Sequence, residues 1–143
     1  MNSRSYIART EEETIALGAR LAAGWTRPCV ALLIGNLGAG KTTLAKGIAE
    51  GLGAARAEDV SSPTFPLIHE YGDMGEVLHI DLYRLDTAAE VESLGLDEVF
   101  SRDAVVVLEW AERFPELMPE ERIEIRIEPQ PDESRLISVT ELP

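Results

Sequence analysis

Two kinds of apolar spacing alternate along this chain, and each predicts its own element. Residues 10–24 (TEEETIALGARLAAG) carry Ile15, Leu17, Leu21 and Ala22 as a stripe at helical spacing, behind a Thr10–Glu13 capping box, so a helix is expected there. Residues 29–34 (CVALLI) are an unbroken apolar run, the pattern of a strand buried on both faces. A glycine-rich loop follows, then a helix from about Lys41 to Leu52 that Gly53 terminates. Residues 61–66 (SSPTFP) hold two prolines and read as loop. Residues 67–71 (LIHEY) and 76–82 (EVLHIDL) read as an antiparallel hairpin turning at Gly72-Asp73-Met74-Gly75, with one side of the second strand less buried. One or two short helices are expected within 87–100. Residues 104–109 (AVVVLE) are a second continuous apolar run, hence a central strand beside 29–34. The strict alternation of 122–127 (RIEIRI) puts Ile123, Ile125 and Ile127 on one face, and 135–140 (RLISVT) alternates too, which predicts a terminal hairpin with one wet face. Together these elements make an α/β fold with a mixed sheet, without internal repeats or low-complexity tracts.

Composition narrows the function. At 143 residues, 45% of them apolar, the chain is expected to form one domain spanning 1–143. Thirteen basic against twenty-six acidic residues leave a net charge of −13. That argues against direct binding to DNA or RNA through phosphates, which needs a basic face, and leaves room for work on RNA through a basic partner. Cys29 is the single cysteine, so no intramolecular disulfide is expected, and with only His69 and His79 beside it a dedicated zinc site has no support. No apolar run is long enough to span a membrane, and MNSRSYIARTEEET lacks the apolar stretch of a signal peptide. The expected compartment is the cytoplasm.

The chemistry concentrates in Gly35-Asn36-Leu37-Gly38-Ala39-Gly40-Lys41-Thr42, which fits G-x-x-x-x-G-K-[ST] at every position, with a strand expected before it and a helix after it. Glycines let successive backbone N–H groups point inward around a phosphate, and the following helix turns its positive end to the same anion. In such a loop Gly38, Ala39 and Gly40 line the phosphates, Lys41 reaches the β- and γ-phosphates, the Thr42 hydroxyl ligates Mg²⁺, and Thr43 stands where a hydroxyl can meet the α-phosphate. The loop also requires an acidic residue at a neighbouring strand end. Glu109 closes the more apolar run and is expected in the metal shell. Asp81 closes VLHID and is expected to hold a metal-bound water or orient the attacking one. Ser62 and Thr64 lie where a nucleotide-sensing switch would lie, though an ordinary turn explains them equally well. Trp110 reads as either core packing or a site residue, and Arg84 as either a phosphate or partner contact or a solvated side chain. Cys29, His69 and His79 read as structural.

Several absences weigh as much. No Asn-Lys-x-Asp occurs, so guanine specificity has no support and ATP is favoured. The only glutamine, Gln130, is remote in sequence from the loop, so a glutamine that positions water is not expected. The arginines are scattered, unlike the dense lid of small-molecule kinases. These features favour an ATPase that is weak alone and completed by a partner. A small P-loop metabolite kinase and an ATP-dependent assembly switch without catalysis remain as alternatives.

The blocks GNLGAGKTT, SSPTF, HIDLYRL and LEWAERF, in this order and spacing, resemble the TsaE (formerly YjeE) family, small bacterial P-loop ATPases of the tRNA threonylcarbamoyladenosine pathway. The likeness runs from about Thr10 to the terminal hairpin and is most specific between Gly35 and Trp110. It implies a P-loop NTPase domain whose mixed sheet has parallel core strands and antiparallel hairpins, with helices on both faces. It implies ATP and Mg²⁺ bound by 35–43, Thr42 and Glu109 near the metal, Asp81 in the site, Thr64 in a switch loop, and Thr10 or Glu11, together with Arg135, near the adenine. It further implies action with TsaD and TsaB, the enzymes that place the threonylcarbamoyl group on adenosine 37 of tRNAs reading ANN codons, so that tRNA is met only through the complex.

Overall fold

The computed structural model describes residues 2–36, 38–61 and 67–143. In chain order the elements are β1 (Asn2–Ala8), α1 (Glu11–Ala22), β2 (Cys29–Ile34), α2 (Lys41–Gly51), β3 (Ile68–Tyr71), β4 (Val77–Asp81), α3 (Ala88–Glu92), α4 (Leu96–Phe100), β5 (Val105–Glu109), β6 (Arg122–Pro129) and β7 (Arg135–Leu142). The strands form one sheet in the order β1-β7-β6-β2-β5-β4-β3. The run β6-β2-β5-β4 is parallel, and β3, β7 and β1 add on antiparallel. This is the mixed sheet expected from the two apolar runs and the two hairpins. The apolar β2 and β5 lie side by side, pairing from Cys29↔Val105 to Leu33↔Glu109.

Alternation along the central strands divides the core between two faces. On one face Ala31, Leu33, Val107 and Ile125 pack with Leu17 of α1 and with Leu44 and Ile48 of α2. On the other, Leu32, Leu78, Ile80, Val106 and Leu108 pack with Val91 of α3 and Leu96 of α4. The helices α1 and α2 approach closely through glycine. A Cβ at Gly47 would stand 2.0 Å from the carbonyl oxygen of Ile15, and one at Gly18 would stand 2.6 Å from that of Leu44. Among the described residues no helix is long and apolar enough to cross a membrane.

One strand stands where none was expected, and two local expectations need correction. Residues 2–8 form a strand the apolar pattern does not announce. NSRSYIA is mostly polar and exposed, and it becomes β1 because β7 offers it a free edge, pairing from Asn2↔Glu141 to Ala8↔Arg135. The second hairpin strand, β4, is not half-wet. It lies between β3 and β5, and Val77–Ile80 are all buried. The capping box at α1 is displaced: the Thr10 hydroxyl accepts from the Glu13 N–H at 3.1 Å, but the Glu13 carboxylate takes its hydrogen bond from the Arg9 N–H, at 2.7 Å. A reciprocal capping box forms instead at α3, between Thr87 and Glu90.

Candidate functional site at the carboxyl edge of the parallel strands

Where β2 ends, the chain enters the glycine loop with Gly38 at φ +79° and Gly40 at φ +109°. A side chain at either position would be strained by sterics. Gly40 is the N-cap of α2 and supplies no side-chain cap, so the first N–H groups of that helix keep their capacity for a ligand. A cavity of about 460 Å³ opens here. It lies outside the carboxyl ends of the strands, where open α/β sheets bind ligands.

The structure brings nearly all the expected residues to this cavity. Gly38, Gly40, Lys41, Thr42 and Thr43 line one wall, and Asp81, Glu109 and Trp110 line another. Glu11 at the start of α1 and Arg135 at the start of β7 complete it. Ala39 does not line the cavity. It is buried behind the loop, and its N–H is taken by the Asn36 carbonyl at 3.0 Å. Ser62 and Thr64 lie outside the described residues. Arg84 is exposed and is not in the cavity wall.

Lys41 is buried, and its ammonium donates to the Gly35 carbonyl at 2.8 Å while standing 3.5 Å from the centre of the Trp110 ring. Burial lowers its pKa, and the charges of Glu109, Glu112 and Asp81 pull it back up. Asp81 and Glu109 are register partners on adjacent parallel strands, so two carboxylates stand side by side at the strand ends. The Tyr83 N–H donates to Asp81 Oδ1 at 2.9 Å. Glu109 is only 3% exposed, and its Oε2 accepts from His79 Nε2 at 2.6 Å and from the Thr42 hydroxyl at 3.4 Å.

Around this centre the loops are tied together. Trp110 adopts a left-handed backbone at φ +67°, costly for a bulky residue, and this turns the chain as β5 ends and brings the indole against Lys41. Tyr83 packs against the indole, ring centres 5.1 Å apart. Arg113 donates to the carbonyls of Leu82 and Trp110, and the Leu82 N–H donates to the Glu109 carbonyl at 3.0 Å, so hydrogen bonds tie the ends of β4 and β5 together. Arg135 Nε donates to the Ala39 carbonyl at 2.8 Å and pins the glycine loop to β7.

Beyond the expected site residues, His79, Tyr83 and Glu112 also stand at this centre. The signal for His79 was present: two residues before Asp81 on one strand, it must share that residue's face. Glu112 follows Trp110 and carries a buried carboxylate oxygen without a hydrogen-bond partner, and its charge acts on Lys41. No periodicity marks it. The assembled groups are a glycine cradle, one ammonium, the Thr42 and Thr43 hydroxyls and paired carboxylates, a set suited to a polyphosphate held with a hard cation.

Residues 8–137 match the family model of the threonylcarbamoyl adenosine biosynthesis protein TsaE. The chain is 47% identical over 131 residues to the tRNA threonylcarbamoyladenosine biosynthesis protein TsaE of Bacillus subtilis (strain 168), covering 90% of this chain and 80% of that protein. To the protein of the same name from Streptomyces coelicolor it is 41% identical over 134 residues, covering 88% of each. The crystal structure of Bacillus subtilis YdiB superposes with a TM-score of 0.82 at 36% identity, covering 99% of this chain and 87% of that one. The matched span begins at the last residue of β1 and ends inside β7, taking in every residue of the cavity wall, and on that ground the chain belongs to the TsaE family.

Proposed function

We propose that this chain is a Mg²⁺-dependent ATPase that serves threonylcarbamoylation of adenosine 37 in tRNAs reading ANN codons, acting in the cytoplasm as one component beside TsaB and TsaD. The observation that carries the reading is the convergence of Lys41, Thr42, Asp81 and Glu109 on one glycine-cradled cavity. In this reading residues 1–143 work as a single domain, and tRNA is met only through the partners, as suits a net charge of −13.

The residues fit a magnesium-bound triphosphate. The Thr42 hydroxyl and the Glu109 carboxylate are hard oxygen donors within 3.4 Å of each other on the cavity wall, the donor type Mg²⁺ prefers. Thr42 and Glu109 would hold the ion, which when bound neutralises phosphate charge. Backbone N–H groups of the loop and the start of α2 bind the phosphate oxygens. Lys41 leaves the Gly35 carbonyl and the Trp110 face to meet the β- and γ-phosphates. Asp81 orients the attacking water and accepts its hydrogen bond as the oxygen adds to phosphorus and the bond to the ADP oxygen breaks. Glu11 and Arg135 border the end of the cavity assigned to the adenine. Thr64 keeps its assignment as the switch hydroxyl on the sequence argument alone.

Turnover by the isolated chain is expected to be weak. The only glutamine, Gln130, donates its side-chain amide to the Glu128 carbonyl at 2.9 Å and is not in the cavity wall. Steady-state phosphate release from Mg-ATP, by this chain alone and mixed with TsaB and TsaD, tests the reading. A low rate that rises many-fold in the mixture is the expected result. An unchanged rate would return the assembly-switch reading, and consumption that rises with one small acceptor would return the kinase.

A further inference from the structure

We propose that His79 is the positioning residue of the site, acting through Glu109: its Nε2–H holds one oxygen of that carboxylate and so sets the other groups' access to it. The inference rests on the proposed function and deepens it.

His79 is 1% exposed, and its Nε2 stands 2.6 Å from Glu109 Oε2. A carboxylate only accepts, so Nε2 carries the proton of that bond. The ring's Nδ1 is buried and has no hydrogen-bond partner. A core position filled for packing alone would not carry an orphaned polar atom, since burying one without a partner forfeits its hydration with nothing in return. The Glu109 contact is what the imidazole gains in return. The placement follows from the sheet. His79 stands beside Val107 of β5 and across from His69 of β3, on the face where Asp81 and Glu109 also lie.

The same oxygen, Oε2, also faces the Thr42 hydroxyl, but at 3.4 Å. The imidazole therefore supplies the short bond that fixes the carboxylate's rotamer, and the Thr42 hydroxyl remains free to exchange partners when nucleotide arrives. Groups that hydrogen-bond a ligating carboxylate are worth about 10–100-fold in metal affinity or activity. His69 belongs to a separate pair: its Nδ1 lies 3.1 Å from the Tyr71 hydroxyl.

Three substitutions in the full chain test this. His79→Leu removes the donor. His79→Gln places an amide N–H near the Nε2 position, and His79→Asn places it too short to reach. Calorimetric titration with ADP is run in EDTA and across a Mg²⁺ series, with thermal midpoints as the folding control. The expected result for His79→Leu and His79→Asn is a Mg²⁺ requirement raised about 10–100-fold, with ADP affinity in EDTA within about twofold of the parent, and recovery in His79→Gln. Equal losses with and without Mg²⁺ would show a packing role and overturn the proposal. So would a folded His79→Leu with the parent's Mg²⁺ requirement, or Gln and Asn variants that behave alike. Should His79→Leu fail to fold, the Gln and Asn pair decides. Glu109→Gln separates the two levels: if it leaves the Mg²⁺ requirement unchanged, the metal role of Glu109 falls and the reading of His79 falls with it, whereas a raised requirement there beside an unchanged one in the histidine variants overturns His79 alone.

Discussion

Two cavities of nearly equal volume open at opposite edges of the sheet. The one at the carboxyl edge measures about 460 Å³ and the one at the amino edge about 440 Å³. The first gathers Lys41, Thr42, Asp81 and Glu109 around a glycine loop. The second is walled chiefly by Trp25, Pro28, Cys29, Phe100 and Leu142, with Glu121, Arg122 and Glu141 on its border. Volume does not distinguish them; strand direction does. At the carboxyl edge each parallel strand delivers its last residue, and α2 begins there with its N–H groups unspent. At the amino edge the same strands start, with Val77 and Val105 buried and Cys29 and Arg122 half-buried. Burial acts on one group in each cavity: it lowers the pKa of Lys41 and raises that of the Cys29 thiol to about 11.

The largest expected effect lies at the carboxyl edge. Lys41→Met should reduce partner-stimulated turnover by about 10²–10³-fold, the range for loss of one transition-state donor, while a thermal melt shows a folded protein. A comparable loss from Phe100→Ala, with folding intact, would break the contrast between the two edges.

Next comes the amino edge. Burial, with Glu141 and then Glu121 adding to it, holds the Cys29 proton, and below pH 9 the thiolate fraction is about a hundredfold lower than in the unfolded chain. Iodoacetamide labelling should therefore be about a hundredfold slower than in denaturant, a gap that closes as pH rises from 9 to about 11. The folded state binds this proton more tightly, so its contribution to stability is present below pH 9 and lost through the same window. Saturating nucleotide should leave the labelling rate alone; a change would couple the two edges.

The smallest effect sharpens the carboxyl edge itself. Arg135→Ala removes the 2.8 Å bond that pins the Ala39 carbonyl, and about 1 kcal/mol, or roughly fivefold in nucleotide affinity by calorimetry, is the expected loss. No change in affinity would mean that the glycine loop holds its shape without β7.

Much of the carboxyl edge was legible from residues alone because its signals are local. The loop from Gly35 to Thr42 sits between an apolar run and a helix pattern, and Asp81 and Glu109 each close a strand. The strand at 2–8 was not legible, since NSRSYIA has little apolar content of its own and is ordered by hydrogen bonds to a segment some 130 residues away. Nor was the burial of β4, which follows from its place between two strands. The α1–α2 contact was equally hidden: Gly18 and Gly47 look like weak helix residues until the facing backbones show why no Cβ fits.

Sequence alone thus determined what is periodic or contiguous: the strand–glycine loop–helix unit, the two apolar core strands, the hairpins and the acidic strand ends. Tertiary structure decided who meets whom. It set β5 against β2, brought Trp110 beneath Lys41, and brought His79 within 2.6 Å of a carboxylate thirty residues further along the chain. The physical reason is one of range. Side-chain periodicity is written within a few residues, whereas the partner of a buried polar group is chosen by strand pairing and packing, which no short stretch of chain contains.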